Sequence, residues 1–172
     1  MKKNVSILTI ILALFLPIFA AQTINPNIIK TTPTEDFIVH GDGTVTHKTT
    51  GLMWKVASEG HTWTSGTVSG TAAKYNWQGA LDRATSVNGG AGQNHGYTDW
   101  RVPTIKELAS IVEYAAYSPA INITVFPNTT LSWYWSSSAN ANNPSNAWLL
   151  YFHNGRDSYY DKSGSYYVRL VR

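Results

Sequence analysis

Residues 96–112 read GYTDWRVPTIKELASIV, and the fold turns on how this stretch is parsed. Thr104-Ile105-Lys106-Glu107 has the spacing of a capping box. The Thr104 hydroxyl can accept from the Glu107 backbone N–H, while the Glu107 carboxylate accepts from the N–H of Thr104. Leu108, Ile111, Val112 and Ala115 follow at helical spacing, which predicts a helix running from Thr104 to a stop at Ser118-Pro119. Upstream, Gly96 to Pro103 reads as a loop or extended run that delivers the chain to this start. Asp99, Arg101 and Glu107 form the densest charged cluster of the sequence. Those residue types suit an acid–base site or an ion-pair network pinning the loop to the helix. The second reading is favoured, because Asp99 and Arg101 flank a large Trp at the edge of the core.

Towards the N-terminus, Trp77, Ala80, Leu81 and Ala84 predict another helix, capped by Asn76 and ended by Gly89-Gly90. Residues 57–74 are rich in Gly, Ser and Thr and read as a long surface loop, with room for a small hairpin. Before them, Gly41-Asp42-Gly43 and Thr49-Thr50-Gly51 are turn signals that separate short strands near 37–40, 44–47 and 52–56. Towards the C-terminus, WYWSSS (133–138) reads as a strand and residues 140–146 as a polar loop. Trp148, Leu150 and Phe152 then alternate with Leu149 and Tyr151. Asn154-Gly155 is the strongest hairpin signal in the chain, and strands near 157–161 and 166–171 complete an antiparallel meander. Two helices and short antiparallel strands give an α+β fold.

The two ends are less regular. Lys2 and Lys3 precede an apolar run from Val5 to Ala21 that closes on small residues. This is the pattern of a cleavable signal peptide over residues 1–21, and it predicts an exported, periplasmic or extracellular protein with no membrane span after cleavage. Residues 22–35 mix Pro, Thr and Asn and read as a linker or flexible tail, leaving 36–172 as a single domain. Removal of Lys2 and Lys3 with the leader leaves 11 basic against 10 acidic side chains, a net charge of +1. That balance, without a basic run, argues against a nucleic-acid partner. The chain has no Cys, so packing alone must hold it together, and its seven Trp and ten Tyr, all downstream of the leader, supply the bulk.

No catalytic arrangement emerges. The five His form no HExxH or other ligand cluster, no GxSxG surrounds a Ser, and no DxDxDG loop is present. Asp157 and Asp161 flank a Tyr pair without the convergent oxygens that calcium needs. The sequence therefore predicts neither enzyme activity nor a cofactor or metal. Ser136, Ser137 and Ser138 lack a local base and are expected to satisfy backbone groups. The remaining chemistry suits recognition. Trp63, alone in polar surroundings, and Tyr159 and Tyr160 could stack on sugar rings, while Asn140, Asn142, Asn143 and Asn146 could hydrogen-bond sugar hydroxyls. Trp54, Trp77, Trp100, Trp135 and Trp148 fall in apolar patterns and are assigned to the core.

The ordered set DGTVTHKTTGLMWK, WQGAL, GYTDWRVPTIKELASIV, FPNTTLSWYWSSS, AWLLYFHNGR and YYVRLVR resembles the Lcl C-terminal domain family, named for a collagen-like adhesin of Legionella, over about Asp36 to Arg172. The resemblance implies a C-type-lectin-like fold, in which terminal strands pair, two helices pack on an antiparallel sheet and long loops project from one side. It also implies adhesin-like binding, the naming member being associated with sulfated glycosaminoglycans. The chain departs from that member in having no collagen Gly-x-y tract and little net charge for a sulfated polymer. It lacks the Glu-Pro-Asn and Gln-Pro-Asp triplets of calcium-dependent lectins, and, without Cys, the chemistry of the formylglycine-generating enzymes of related fold. Two functions stay open: a binding module for a glycan or other surface polymer, and a structural or protein-interaction component of the envelope.

Overall fold

A computed structural model describes residues 22–172, so the expected signal peptide lies outside the described residues. The elements are β1 (Thr23–Ile24), β2 (Phe37–Val39), β3 (Thr44–His47), β4 (Met53–Lys55), β5 (His61–Thr64), β6 (Thr67–Gly70), α1 (Trp77–Asn88), α2 (Ile105–Ala109), β7 (Ala116–Tyr117), β8 (Trp133–Ala139), β9 (Asn146–Tyr151) and β10 (Arg156–Asp161). All strand pairs between these elements are antiparallel: β2-β3-β4, β8-β9-β10, the hairpin β5-β6, and the small pair β1-β7. The α+β class is what the alternating and helical patterns indicate. No helix among the described residues is long and apolar enough to cross a membrane.

The second sheet, β8-β9-β10, separates two cores. Successive side chains of a strand point to opposite faces. Tyr134 and Leu150 face one core, with Trp54 of β4, Leu108 of α2, Phe126 and Phe152. Trp135 and Leu149 face the other, with Ala80, Ala84 and Val87 of α1 and Trp100. The helices thus cover both faces of β8 and β9, and β10 is left as an outer edge. Asn76 caps α1 through its Oδ1, which accepts from Gly79 N at 2.7 Å. The Asn88 side chain then brackets the Trp100 backbone, with two bonds of 2.8 Å. Ser136 Oγ donates to Trp148 O, and Ser138 Oγ accepts from Ile105 N, so two of the three serines serve the backbone as expected.

Three expectations need correction. First, residues 22–35 are not loose. The Gln22 amide donates to the carbonyls of Pro119 and Ile121, β1 pairs with β7, and Glu113 accepts from the backbone N–H of Thr31 and Thr32. Burial would raise the Glu113 carboxyl, but its backbone hydrogen bonds to Thr31, Thr32 and Ala115 outweigh that and hold it below its usual range. Second, the helix begun at Thr104 ends at Ala109. Ile111, Val112 and Ala115 are buried as the stripe requires, yet Val112 leaves helical pairing to bridge Ile121.

Third, residues 166–172 are buried on both faces over much of their length, and Arg169 is fully enclosed. This segment pairs with β4 through Met53–Arg172 and Lys55–Leu170 backbone bonds, not with the strand at 37–39. On its other side it bridges Arg101, and it also reaches Tyr75, Glu59 and the start of β8.

Arg101 and Glu107 make the expected ion pair, with two contacts of 2.7 Å, and the capping box closes. Asp99 instead reaches Arg172 at 2.7 Å, so the cluster also ties down the C-terminus. A chain ending at Gly164 is expected to be insoluble or unfolded, since residues 166–172 supply partners to β4, Glu59, Tyr75, Arg101 and β8. A soluble truncation with unchanged thermal unfolding would contradict this. The Arg101 hydrogen bonds hold the Glu107 carboxyl at about 2, against an ordinary 4.5. Its contribution is fully present above 4.5 and is lost as pH falls towards 2. In thermal unfolding between those limits, Glu107→Gln should show a shallower acid limb than the parent, and superimposable limbs would refute the role given to Glu107.

Candidate functional site

The turn at Asn154-Gly155 sets the geometry of the most exposed part of the second sheet. Gly155 sits at φ 78°, and an added Cβ would lie 2.7 Å from Val112 Cγ1, so the turn is seated against the core. Beyond it, β10 pairs only with β9 and is exposed along nearly its whole length. Its two faces differ in chemistry. Arg156, Ser158 and Tyr160 share one face and Asp157, Tyr159 and Asp161 the other.

On the first face the rings are engaged with one another. Trp133 stacks on Tyr151 at 4.7 Å, Tyr151 on His153 at 5.5 Å, and the Arg156 guanidinium lies 5.2 Å from the Trp133 ring centre. Tyr160 packs edgewise on Trp133, and Lys162 lies 4.1 Å over Trp77. The second face is open. Tyr159 meets Trp148 edge to face at 5.4 Å and keeps 49% of its surface in solvent. Asp157 and Asp161 flank Tyr159, and Asn146 stands opposite Asp161 across the strand pair. Asp161 accepts from Ser163 N at 2.8 Å, and Ser163 lowers its carboxyl below the usual range.

The 140–146 loop abuts the end of this face through Lys162 N to Ser145 O at 2.9 Å. Asn142 and Asn143 are exposed there, and Asn146 is half-buried. Asn140 is not a surface residue: it is 7% exposed, and its Oδ1 accepts from Asn142 N while its backbone N–H reaches Asn146 O. It builds the loop. The structure therefore groups Asn142, Asn143, Asn146, Tyr159 and Tyr160 at one end of the second sheet, with the two tyrosines on opposite faces.

Trp63 belongs elsewhere and is not the free surface ring that its polar neighbours suggest. It is half-buried and packs against the first core. The Gln93 side chain clamps both its backbone N–H and its carbonyl at 2.6 Å. Its ring meets His95 edge to face over Gly43, where an added Cβ would come within 2.4 Å of the His95 ring. Burial lowers the pKa of His95, and Lys55 adds to the effect. Trp63 anchors the β5-β6 hairpin. Trp77 and Trp148, assigned to the core by their apolar pattern, are each only half-buried.

Two pockets of about 300 and 330 Å³ share Asn128, Thr129 and Leu131. Their only ionisable lining residue is His61, whose pKa burial lowers, with the Arg169 charge adding to it. A lone imidazole gives no acid–base pair, and neither pocket contains a residue of the β10 faces. Sequence patterning assigned Trp148 to the core and missed its contact with the exposed Tyr159. It weighed Asp157 and Asp161 only as calcium ligands. The usable signal was the alternation Asp157, Tyr159, Asp161 after an Asn-Gly turn, which puts these three on one side of an edge strand.

The family model of the Lcl C-terminal domain matches residues 43–172, a span that includes every β9 and β10 residue described above. No curated protein matches the chain.

Proposed function

The chain belongs to the Lcl C-terminal domain family, and from that premise we propose that it is an exported, non-catalytic binding module that recognises a glycan or similar surface polymer in an adhesin-like role. The observation that carries this is Tyr159, a ring half in solvent on an edge strand with polar neighbours, braced edge to face by the half-buried Trp148. An exposed ring with two side-chain torsions offers stacking area at small entropic cost, and the apolar face of a pyranose suits it. Asn142 and Asn143 beside it supply amide donors and acceptors for hydroxyls. We take the scaffold as C-type-lectin-like, on the grounds that two helices flank the sheet and the C-terminal segment returns to the N-terminal meander. The basic, apolar and small-residue succession at the N-terminus supports export.

A second reading, a protein-interaction component of the envelope, draws on a different surface. Ile24 of β1 and Tyr117 of β7 expose 42% and 50% of their area on the small β1-β7 pair, and Tyr114 exposes 55%. Exposed apolar side chains on a short strand pair suit a protein partner better than a sugar, although Ile24 and Tyr117 stand on opposite faces of it.

The test is a glycan array probed with the mature domain and with Tyr159→Ala. The variant should lose about ten-fold or more in binding to any glycan found, the loss of a stacking contact. Its stability should fall by no more than about 1 kcal/mol, because only the edge contact with Trp148 is removed. Equal glycan binding by the variant would remove Tyr159 from the site. Glycan silence combined with binding lost on Tyr117→Ala in a protein pull-down would favour the second reading.

A further inference from the structure

Resting on the glycan reading, we infer that the Tyr159 face is selective for a polymer of amino sugars with free, protonated amines, and against sulfated or uronate polymers. The domain's charge is nearly balanced, but the two faces of β10 divide it. Arg156 and Lys162 lie over the rings of Trp133 and Trp77, on the side opposite Tyr159. Asp157 and Asp161 stand on the Tyr159 side, one before and one after the ring, both exposed. Neither enters an ion pair among the described residues. Asp161 accepts from Ser163 N, and the side chain and backbone of Ser163 hold its carboxyl below the usual range, which favours the charged form.

Along an edge strand, residues two apart lie about 7 Å from one another on the same face. An extended polymer laid along β10 thus meets carboxylate, ring and carboxylate in succession. A protonated amine gains twice at such a site, from the carboxylates and from the negative face of the Tyr or Trp ring. An N-acetylated sugar keeps the stacking and loses the charge. A sulfate or uronate must approach two uncompensated carboxylates, and like charges placed together disfavour association. Ring and acids together also distinguish this face from a mere negative patch, which would take a basic peptide as readily.

The test is calorimetric titration of the mature protein at low salt, at a pH where the sugar amines are protonated. The probes are glucosamine hexamer, N-acetylglucosamine hexamer, a sulfated glycosaminoglycan and hexalysine. The variants are Tyr159→Ala and the double substitution Asp157→Asn with Asp161→Asn, in which an amide oxygen can still accept from Ser163 N. The glucosamine hexamer should bind about ten-fold tighter than its N-acetylated counterpart, the combined worth of an exposed cation–π contact and ion pair. The Asn pair should cut that difference to the few-fold share that the ring alone supplies while leaving N-acetylglucosamine binding unchanged, and Tyr159→Ala should weaken both sugars. Equal or tighter binding of the N-acetylated or sulfated sugar would overturn the selectivity and leave the glycan reading standing. Hexalysine binding as tightly as the glucosamine hexamer would also overturn it, by showing that the face reads charge alone. No binding of any sugar would overturn both.

Discussion

One buried cation organises this domain. Arg169 has none of its surface in solvent, and no carboxylate touches it. Its guanidinium donates instead to the carbonyls of Lys55 and Val56 and to the hydroxyls of Ser58 and Thr129, and it lies 4.8 Å over the Phe126 ring. Desolvation lowers its pKa to about 10, which still leaves it charged at neutral pH. The one acid nearby, Glu59, is engaged by Lys55 and Arg83. A charge buried this way costs stability unless its hydrogen bonds are met, and here the two terminal nitrogens find acceptors in two distant parts of the chain, 55–58 and 129, while Nε is left without a partner among the described residues. Apolar side chains would fill the same space but would not require those loops to converge at one point.

From that point the remaining architecture follows. Residues 166–172 lie between β4 on one side and Arg101 and β8 on the other, with alternate side chains in the two cores. Fixing them fixes β8, and β8 positions β9 between α1 and α2. The sheet then runs out of cover at β10, the one strand of the three whose residues are nearly all exposed. Stability and the proposed recognition are thereby separated. The aromatic rings and carboxylates proposed to bind stand on an edge that the cores do not need, and changes there should alter affinity before they alter folding.

The sequence made the local devices readable and concealed the long-range ones. The Thr104–Glu107 box, the Asn76 cap and the Asn154-Gly155 turn are each encoded within a few residues, and all three appear. Helix length was less readable. The stripe at Ile111, Val112 and Ala115 marks burial, and burial was met by an irregular turn bridged to Ile121. Residues 166–171 are legible as a strand-like segment, but the covering of both their faces is not. Arg169 gave no local signal of burial, because its partners are more than a hundred residues away for all but Thr129. Trp63 misled for the same reason: its neighbours in sequence are polar, while Gln93, His95 and Gly43, which enclose it, come from other segments. The Tyr159 face was half legible. The tyrosines stood out, but the part played by Trp148 and the acids appears only when β10 is placed as an edge.

Native-state hydrogen exchange tests most directly whether the C-terminal segment holds the domain together. The amides of Lys55, Glu59, Arg101 and Trp135 all donate to carbonyls of residues 167–171. They should exchange only with the free energy of global unfolding, while those of β10 exchange through local opening at a far smaller cost. If the four amides instead open locally, as readily as β10 and with the remaining core still protected, the C-terminal segment is an appendage and the dependence of the fold on Arg169 is wrong.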